Sequence, residues 1–231
     1  MQVALVTVGD ELLAGDTVNT NAAWLGQQLH ERGATVARTI VIPDEVATIQ
    51  ADVAALSERY DAVIVTGGVG PTHDDVTMDA VASAFDRELT EHADAVAYFQ
   101  RHDTYSAANL TTGTTHLPAG ARLLENPRGV APGAAVNNVY VLPGVPDEMK
   151  GMFETVADEF TGEQVYTEEV SVDAPESALI DTIAALQEAY DVTVGSYPGD
   201  RVRVKIQHSD ADTVRAAADW FRDRVTAVSR E

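Results

Sequence analysis

Residues 66–77, with the sequence TGGVGPTHDDVT, combine a glycine-rich stretch with two adjacent carboxylates, Asp74 and Asp75. They follow the apolar run 62–65 and precede a helical pattern over 78–85, which predicts a turn between a strand and the N-terminus of a helix. Glycines let the backbone approach a phosphate, and the free N–H groups of a helix N-terminus point towards it. Because two carboxylates repel a bare phosphate, the stretch favours a phosphate that arrives with a divalent metal.

A purely structural explanation also fits this stretch. Glycine turns after strands are common, and Asp75 or Thr77 could simply cap the helix that follows and favour its dipole. The sequence is not a Walker loop, because no glycine–lysine pair follows, and its glycines lack the spacing of a dinucleotide fingerprint. The length of the whole pattern still favours a ligand site over a chance turn.

Three more segments with polar or turn-forming residues follow predicted strands: GDE at 9–11, PDE at 43–45 and PGVP at 143–146. Ligands of open parallel sheets bind beyond the carboxyl ends of the strands. We therefore predict one cleft that gathers five carboxylates, which are hard oxygen ligands suited to Mg²⁺ or Mn²⁺. These are Asp10, Glu11, Asp44, Asp74 and Asp75.

Each of these residues also has a structural alternative. Asp10 and Glu11 could cap a first helix or lie in solvent, and Asp44 precedes a predicted helix, where a cap is the commoner role. Residues 143–146 could form only a rigid turn, Asn19 and Asn21 could cap the helix that contains Trp24, and His73 is expected to be inert. The coincidence of several such segments at strand ends favours a site.

Strands and helices alternate along residues 3–160. This order predicts a doubly wound, mostly parallel sheet in a three-layer α/β domain that extends over residues 1–162. The predicted strands are 3–8, 36–42 and 62–65, with a hairpin over 134–142 around Asn137 and Asn138. The predicted helices are 20–32, 45–59, 76–85, 93–101 and 147–160, while 107–120 is predicted as a loop and 126–133 as turns.

Residues 163–231 predict a second, smaller α+β domain. The order is strand 165–172, helix 176–189, strands 192–196 and 202–208, and helix 211–228, a βαββα unit on an antiparallel sheet. In outline it resembles KH-like RNA-binding domains. It lacks their Gly-x-x-Gly clamp and a basic face, so RNA binding is disfavoured.

The 231 residues carry 37 acidic and 15 basic side chains, a net charge of -22 that is spread along the chain. Dispersed acidic charge is typical of proteins from a high-salt cytoplasm, although an acidic surface for a basic partner is the alternative. Nucleic-acid binding is disfavoured because it needs a cationic surface. The absence of cysteine excludes disulfides and thiolate metal sites. No apolar run is long enough to span a membrane, and no signal peptide precedes the first strand, so we expect a cytoplasmic protein.

Several motifs together resemble the N-terminal part of CinA (competence/damage-inducible) proteins, a molybdopterin-binding domain of the MoaB/Mog type. They are GDELLAG at 9–15, NTN at 19–21, the stretch 66–77, NPRGVAPG at 126–133 and LPGVPDEM at 142–149. The resemblance covers residues 3 to about 160, and the segment with GSYP at 195–198 is similar to the domain that follows in the same proteins. Full-length CinA proteins often add a C-terminal amidase domain, and that activity is not expected here.

The resemblance implies a three-layer α/β fold and a homo-oligomer, a dimer or trimer. In Mog-type relatives the glycine loop binds the pterin phosphate, and acids matching Asp75 and Asp44 serve adenylyl transfer. In CinA-type members the same cleft is associated with metal-dependent hydrolysis of a pyrophosphate, as in ADP-ribose, and a related domain accompanies FAD synthases.

Our first hypothesis is therefore a metal-dependent nucleotide pyrophosphatase with Asp75 and Asp44 as catalytic residues and Mg, Mn or Co as the metal. Its metal ligands are predicted to be Asp10, Glu11, Asp74 and Asp75. The ligand's phosphates are predicted to lie on the glycine stretch and on neighbouring turns, at Gly67, Gly68, Gly70, Pro71, Thr72, Thr77, Asn21, Pro143 and Gly144. The alternatives are molybdopterin binding or adenylyl transfer in molybdenum cofactor synthesis, and a non-catalytic nucleotide-binding protein.

Overall fold

The computed structural model describes residues 1–70, 72, 75–101 and 115–228, with side chains as far as Val225. Two predicted site residues, Pro71 and Asp74, lie outside the described residues, as do His73, which was expected to be inert, and most of the loop predicted over 107–120. The chain divides into two compact units, Met1–Gly162 and the part from Glu163 onward. Each unit is described by itself.

The first unit is built on a six-stranded sheet. Along the chain its strands and those of a small accessory sheet are β1 (Gln2–Val8), β2 (Thr35–Ile42), β3 (Ala62–Thr66), β4 (Leu89–Glu91), β5 (His116–Pro118), β6 (Arg122–Leu124), β7 (Gly133–Val136) and β8 (Val139–Leu142). The order across the main sheet is β2-β1-β3-β8-β7-β6, and β4 pairs with β5 separately. Strands β2, β1, β3 and β8 run parallel to one another, whereas β7 is antiparallel to both β8 and β6. The predicted mostly parallel sheet is confirmed.

Helices cover both faces of this sheet. They are α1 (Asp10–Leu13), α2 (Thr20–Glu31), α3 (Val46–Arg59), α4 (Thr77–Ala84), α5 (Ala93–Arg101) and α6 (Pro146–Val156), the last followed by a 3-10 turn, Ala157–Glu159. Successive strand residues point to opposite faces, so neighbouring positions of β1 enter different cores.

Two apolar cores result from this alternation. Val6 and Val65 belong to the core that contains Ile49 and Val53 of α3 and Val81 of α4. On the opposite face, Leu5 and Ile64 share a core with the apolar residues of α2 and α6, which include Leu25, Leu29, Met149 and Phe153. Strands buried on both faces need continuous apolar runs, which is why β1 and β3 lack the alternation of a half-exposed strand. The three-layer arrangement is confirmed.

Short antiparallel strands are the part of this unit that the sequence prediction missed. Residues 116–118, predicted as loop, form β5 and pair with β4, and 122–124 form β6 beside β7. Strands of three residues are too short to show a period, so only their tertiary partners define them. The predicted hairpin over 134–142 is confirmed, with Asn137 in the left-handed region at φ 53°.

The second unit contains β9 (Tyr166–Val172), a 3-10 turn (Glu176–Ala178), α7 (Ile180–Tyr190), β10 (Thr193–Tyr197), β11 (Val202–His208) and α8 (Ala211–Val228). Its antiparallel sheet has the order β10-β11-β9, and its own core includes Leu186, Val204, Ile206 and Phe221. The predicted βαββα order is confirmed. Among the described residues of both units, none of the helices combines the length and apolarity that crossing a bilayer requires.

The turn after β3 is the tightest point at the carboxyl edge of the main sheet. Gly67 has φ 100°, and its N–H donates to the Leu142 carbonyl oxygen at 3.2 Å. A Cβ at this position would overlap the Val8 carbonyl oxygen at the end of β1. Only glycine therefore lets the backbone of this turn pass so close to β1.

We predict that Gly67→Ala destabilises the first unit more than Gly15→Ala does. Both glycines have positive φ, which costs another residue roughly 1 kcal/mol, but Gly15 has open space where its Cβ would be. Forcing a methyl group against backbone at Gly67 adds a further cost of about 1–3 kcal/mol. The measurement is urea unfolding followed by Trp24 fluorescence in a Trp220→Phe background. Equal losses in the two variants would contradict the close approach.

Candidate functional site

Four loops meet at the carboxyl edge of the parallel strands. The Gly9 N–H, after β1, donates to the Ile42 carbonyl oxygen of β2 at 3.1 Å. A Cβ on Gly144, after β8, would lie 3.2 Å from the Cα of Gly67. The segments that follow β1, β2, β3 and β8 are therefore neighbours in space.

Asp44 connects two of these loops. Its Oδ2 accepts a hydrogen bond of 3.0 Å from the Asp10 N–H, and its Oδ1 lies 3.5 Å from the position that a Gly68 Cβ would take. The carboxylate thus lies between the start of α1 and the glycine turn. This bond ties the start of α1 to the loop after β2. Asp44 is therefore not the cap of α3, whose N-cap residue is Glu45 and makes no side-chain cap bond.

Thr77, a predicted ligand-binding residue, fastens the glycine turn to α4. Its hydroxyl donates to the Gly67 carbonyl oxygen at 2.8 Å and its N–H donates to the Gly68 carbonyl oxygen at 3.0 Å. The side chain is fully buried. Gly68, at φ 63°, has no room for a Cβ beside this hydroxyl. The hydroxyl of Thr77 therefore shapes the turn.

Asp75 closes the far end of the same loop. Its Oδ2 accepts from the Thr72 N–H at 2.9 Å and from the Thr72 hydroxyl at 2.5 Å, while its own N–H donates to the Thr72 carbonyl oxygen at 3.1 Å. A Cβ on Gly70 would lie 2.6 Å from the same carboxylate oxygen. The carboxylate is thus packed against the glycine stretch that it follows.

The other two described residues that were predicted as metal ligands, Asp10 and Glu11, lie at the surface of this edge. The side chains of Asp10 and Glu11 are exposed, and the Glu11 carboxylate lies over Gly9, whose Cβ would be 2.6 Å from both of its oxygens. Throughout the part of the chain that the structure describes, no group of three or more His, Cys, Asp or Glu side chains is placed to hold a metal ion. The described carboxylates share one edge without forming a complete ligand shell.

A small cavity of about 90 Å³ opens beside the glycine turn. Two side chains of its lining each have a buried oxygen without a hydrogen-bond partner among the described residues, Asn21 Oδ1 and Thr66 Oγ1. Asn21 is 7% exposed and Thr66 is 1% exposed. A buried polar atom without a partner costs about 1–3 kcal/mol, so such atoms are uncommon and indicate a missing ligand or water.

The two asparagines of the NTN motif have different roles. Asn19 is the N-cap of α2, since its Oδ1 accepts from the Ala22 N–H at 3.0 Å, and its Nδ2 donates to the Thr7 hydroxyl at 3.0 Å. Asn21 does not cap the helix; its Nδ2 donates to the Gly144 carbonyl oxygen at 2.7 Å. The turn at 143–146 is thereby tied to α2.

Sequence reasoning did not select Thr66 as a site residue, because a threonine at the end of an apolar strand is common. Its unpaired hydroxyl is visible only in three dimensions. The motif at 126–133 was predicted only to form turns. Because β7 runs antiparallel to β8, with Ala134 opposite Val141, this motif ends at the same edge as the site.

The 126–133 loop is held by a buried polar side chain. Asn126 is 1% exposed, and its Nδ2 donates to the Glu148 carboxylate at 2.7 Å and to the Ala131 carbonyl oxygen at 3.1 Å. Glu148 lies in the first turn of α6 and packs over Gly129, which has no space for a Cβ. The loop is thus fixed to the start of the helix that follows the site.

Comparison with known proteins agrees with this architecture. Residues 4–163 match the family model of the probable molybdopterin binding domain, and residues 164–230 match the middle domain of FAD synthase. A protein of Archaeoglobus fulgidus is 35% identical over 225 residues, which cover 96% of this chain and 97% of that protein.

CinA proteins are among the relatives. A CinA-like protein of Citrifermentans bemidjiense is 35% identical over 248 residues, which cover 98% of this chain but 59% of that protein. The crystal structure of a CinA protein of unknown function from Thermoplasma acidophilum superimposes with a TM-score of 0.64 at 33% identity, covering 70% of this chain and 99% of that one. The chain belongs to the molybdopterin-binding-domain family, as a CinA-like member with a second domain related to the middle domain of FAD synthase.

Proposed function

We propose that this chain binds a nucleotide of the ADP-ribose or FAD class at the carboxyl edge of its sheet and hydrolyses the pyrophosphate bond. The observation that carries the proposal is the position of the Asp44 carboxylate, between the Asp10 N–H and the glycine turn. A phosphate on that turn would lie beside a fixed carboxylate, which can accept the proton of an attacking water.

The binding step would rest on backbone donors. The loops after β1, β2, β3 and β8 contain no lysine or arginine, and Arg128 of the neighbouring 126–133 loop is paired with Glu154 at 3.8 Å. Phosphate oxygens would therefore be held by N–H groups of the glycine turn and of the first turn of α4, where helix N–H groups lack partners within the helix. Gly68 and Gly70 are the proposed phosphate contacts, and Pro71 lies outside the described residues. Both donors of Thr72 are bonded to Asp75, so Thr72 would shape the turn, while Asn21, Pro143 and Gly144 across the turn are proposed to contact the rest of the ligand.

The charge balance at this edge favours a cation that arrives with the substrate. Mg²⁺ is commonly bound by one or two carboxylates together with substrate phosphates, and it keeps several waters. The described carboxylates fit this mode, since they share one edge but form no complete shell. Asp10, Glu11 and Asp75 are the proposed protein ligands, together with Asp74. Bound Mg, Mn or Co would neutralise the phosphate oxygens and polarise the phosphorus–oxygen bonds.

The proposed reaction adds one water across the pyrophosphate. The water oxygen attacks one phosphorus, its proton passes to the Asp44 carboxylate, and the bridging phosphorus–oxygen bond breaks. Two monophosphates leave, one of them AMP when the substrate is ADP-ribose or FAD. Asp75, bound to Thr72 through both the N–H and the hydroxyl, would hold the loop in the shape that aligns the phosphate.

We predict that Asp75→Asn lowers AMP release from ADP-ribose or FAD by about 100-fold or more, the usual loss when a general base or positioning carboxylate is removed. The assay uses the full chain in molar KCl with Mg²⁺, Mn²⁺ or Co²⁺, and NAD as a third substrate. The matched control is Asp79→Asn, which removes an exposed acid from the first turn of α4, the helix that follows Asp75, and should retain activity. Full turnover by folded Asp75→Asn would remove the assignment.

A second function is favoured by the family match over residues 4–163, the probable molybdopterin binding domain. We propose as the alternative that the same edge binds a pterin phosphate and serves molybdopterin binding or adenylyl transfer. The glycine turn supports both functions equally, since each ligand presents a phosphate next to a ring system.

On this alternative, purified chain is expected to carry a pterin that becomes fluorescent after oxidation, or to convert ATP and molybdopterin into adenylylated molybdopterin and pyrophosphate. Asp44→Asn should abolish the transfer while leaving pterin binding intact. AMP release from ADP-ribose without any pterin product would exclude the alternative in favour of hydrolysis.

We also propose a homo-oligomeric protein adapted to a high-salt cytoplasm. The similarity to CinA-like proteins supports the oligomer. The net charge of -22 supports the salt adaptation, because molar salt screens the repulsion between the acidic side chains. We expect analytical ultracentrifugation to show a folded dimer or trimer in molar KCl and partial unfolding or dissociation at low salt. A stable monomer under both conditions would contradict both proposals.

A further inference from the structure

The cavity beside the glycine turn offers two unpartnered polar groups and no cation among the described residues. One is an amide oxygen, which only accepts, and the other is a threonine hydroxyl, which can accept or donate. The cavity lining includes Glu11, together with Asn21 and Thr66, the two residues whose oxygens have no partner among the described residues. No described lysine, arginine or histidine lines it. A phosphate or carboxylate would meet only repulsion from Glu11 there. A neutral group with N–H donors would be attracted instead.

The orientation of the Asn21 amide is fixed by its neighbour. The Gly144 carbonyl oxygen can only accept, so the amide nitrogen must face it, at 2.7 Å. Oδ1 is consequently left as an acceptor without a partner among the described residues. A ligand that satisfies this oxygen must donate a hydrogen.

Thr66 places the second acceptor next to the phosphate turn. It is the last residue of β3, directly before Gly67, and its hydroxyl is buried without a partner in the described part of the chain. Gly144, which holds Asn21, packs against Gly67. The cavity and the glycine turn are therefore adjacent parts of one edge.

The remaining lining suits a flat ring. Val8, Leu12, Val18 and Pro146 supply apolar surface. A volume of about 90 Å³ is well below the roughly 300–1,000 Å³ of a complete ligand pocket, so it takes one edge of a ligand. The lining also includes the polar residues Thr7, Thr17, Asn19 and Thr20, so apolar and polar surface alternate around this edge.

We propose that this cavity recognises the exocyclic amino group of a heterocyclic ring, with Asn21 Oδ1 and Thr66 Oγ1 as its acceptors. The inference rests on the proposed function only in placing the ligand's phosphate on the neighbouring glycine turn. Adenine and 2-aminopterin share this amino group, so a nucleotide and a pterin phosphate are the two sources that the experiment separates.

The decisive variant is Thr66→Val, which replaces the hydroxyl by a methyl group of similar shape. Because the hydroxyl has no partner, the ligand-free variant should keep or raise its Tm. The matched control is Thr77→Val, another fully buried threonine, whose hydroxyl is bonded to the Gly67 carbonyl oxygen and whose loss should lower Tm. A Tm for Thr66→Val as low as that of Thr77→Val would overturn the inference.

Binding is measured by calorimetry with Mg²⁺ present, using monophosphates that contain no bond to hydrolyse. The pairs are AMP with purine riboside 5′-monophosphate, and pterin-6-ylmethyl phosphate with its 2-oxo analogue. The natural chain should bind the amino member of one pair about three- to tenfold more tightly, the contribution of one or two neutral hydrogen bonds. Thr66→Val should bind that member more weakly and lose most of the preference.

The two pairs separate the sources and the two proposals. A preference confined to AMP assigns the cavity to adenine, and one confined to the pterin pair assigns it to the pterin. Equal binding within both pairs, an unchanged preference in Thr66→Val, or no binding at all would each overturn the inference. Failure of the pyrophosphatase assay with the amino preference intact would reject the hydrolytic function alone.

Discussion

The close approach of backbone at the end of β3 is the constraint on which the site depends. Gly67 packs against the Val8 carbonyl oxygen, and Gly144 packs against the Cα of Gly67. The Gly67 N–H donates a hydrogen bond to the Leu142 carbonyl oxygen. Any side chain at this point would separate β1, β3 and β8 at the edge where their loops converge. The phosphate turn and the cavity take their positions from this packing, because their residues lie within one or two positions of it along β1, β3 and β8. The Asp44 carboxylate, on the loop after β2, is joined to the same edge through the Asp10 N–H.

The polar contacts at this edge serve first to build the loops. Asp44 holds the start of α1, Asn21 holds the turn after β8, Thr77 holds the glycine turn, and Asp75 holds Thr72. Because short side chains on neighbouring loops make these bonds, the loops stabilise one another. A ligand would meet a surface whose shape is already set, and little ordering entropy would oppose its binding.

The sequence was sufficient to predict the layers but not every element or contact. Continuous apolar runs predicted β1 and β3, and helical spacing predicted α2 and α3, because these patterns reflect burial on one or two faces. The strands β5 and β6 were missed since three residues have no measurable period. The sequence also did not predict that Asn19 caps α2 while Asn21 bonds to Gly144. Both residues favour caps, and only the position of Gly144 across the edge gives Asn21 a different hydrogen-bond partner.

Thr77 has a mechanical consequence. One residue is both the first of α4 and the double anchor of the glycine turn, so the turn cannot shift without pulling on the helix axis. Since α4 packs beside α3, strain at the phosphate turn is transmitted into a whole helical layer. The glycine turn and the α3–α4 layer are thus mechanically connected through one residue.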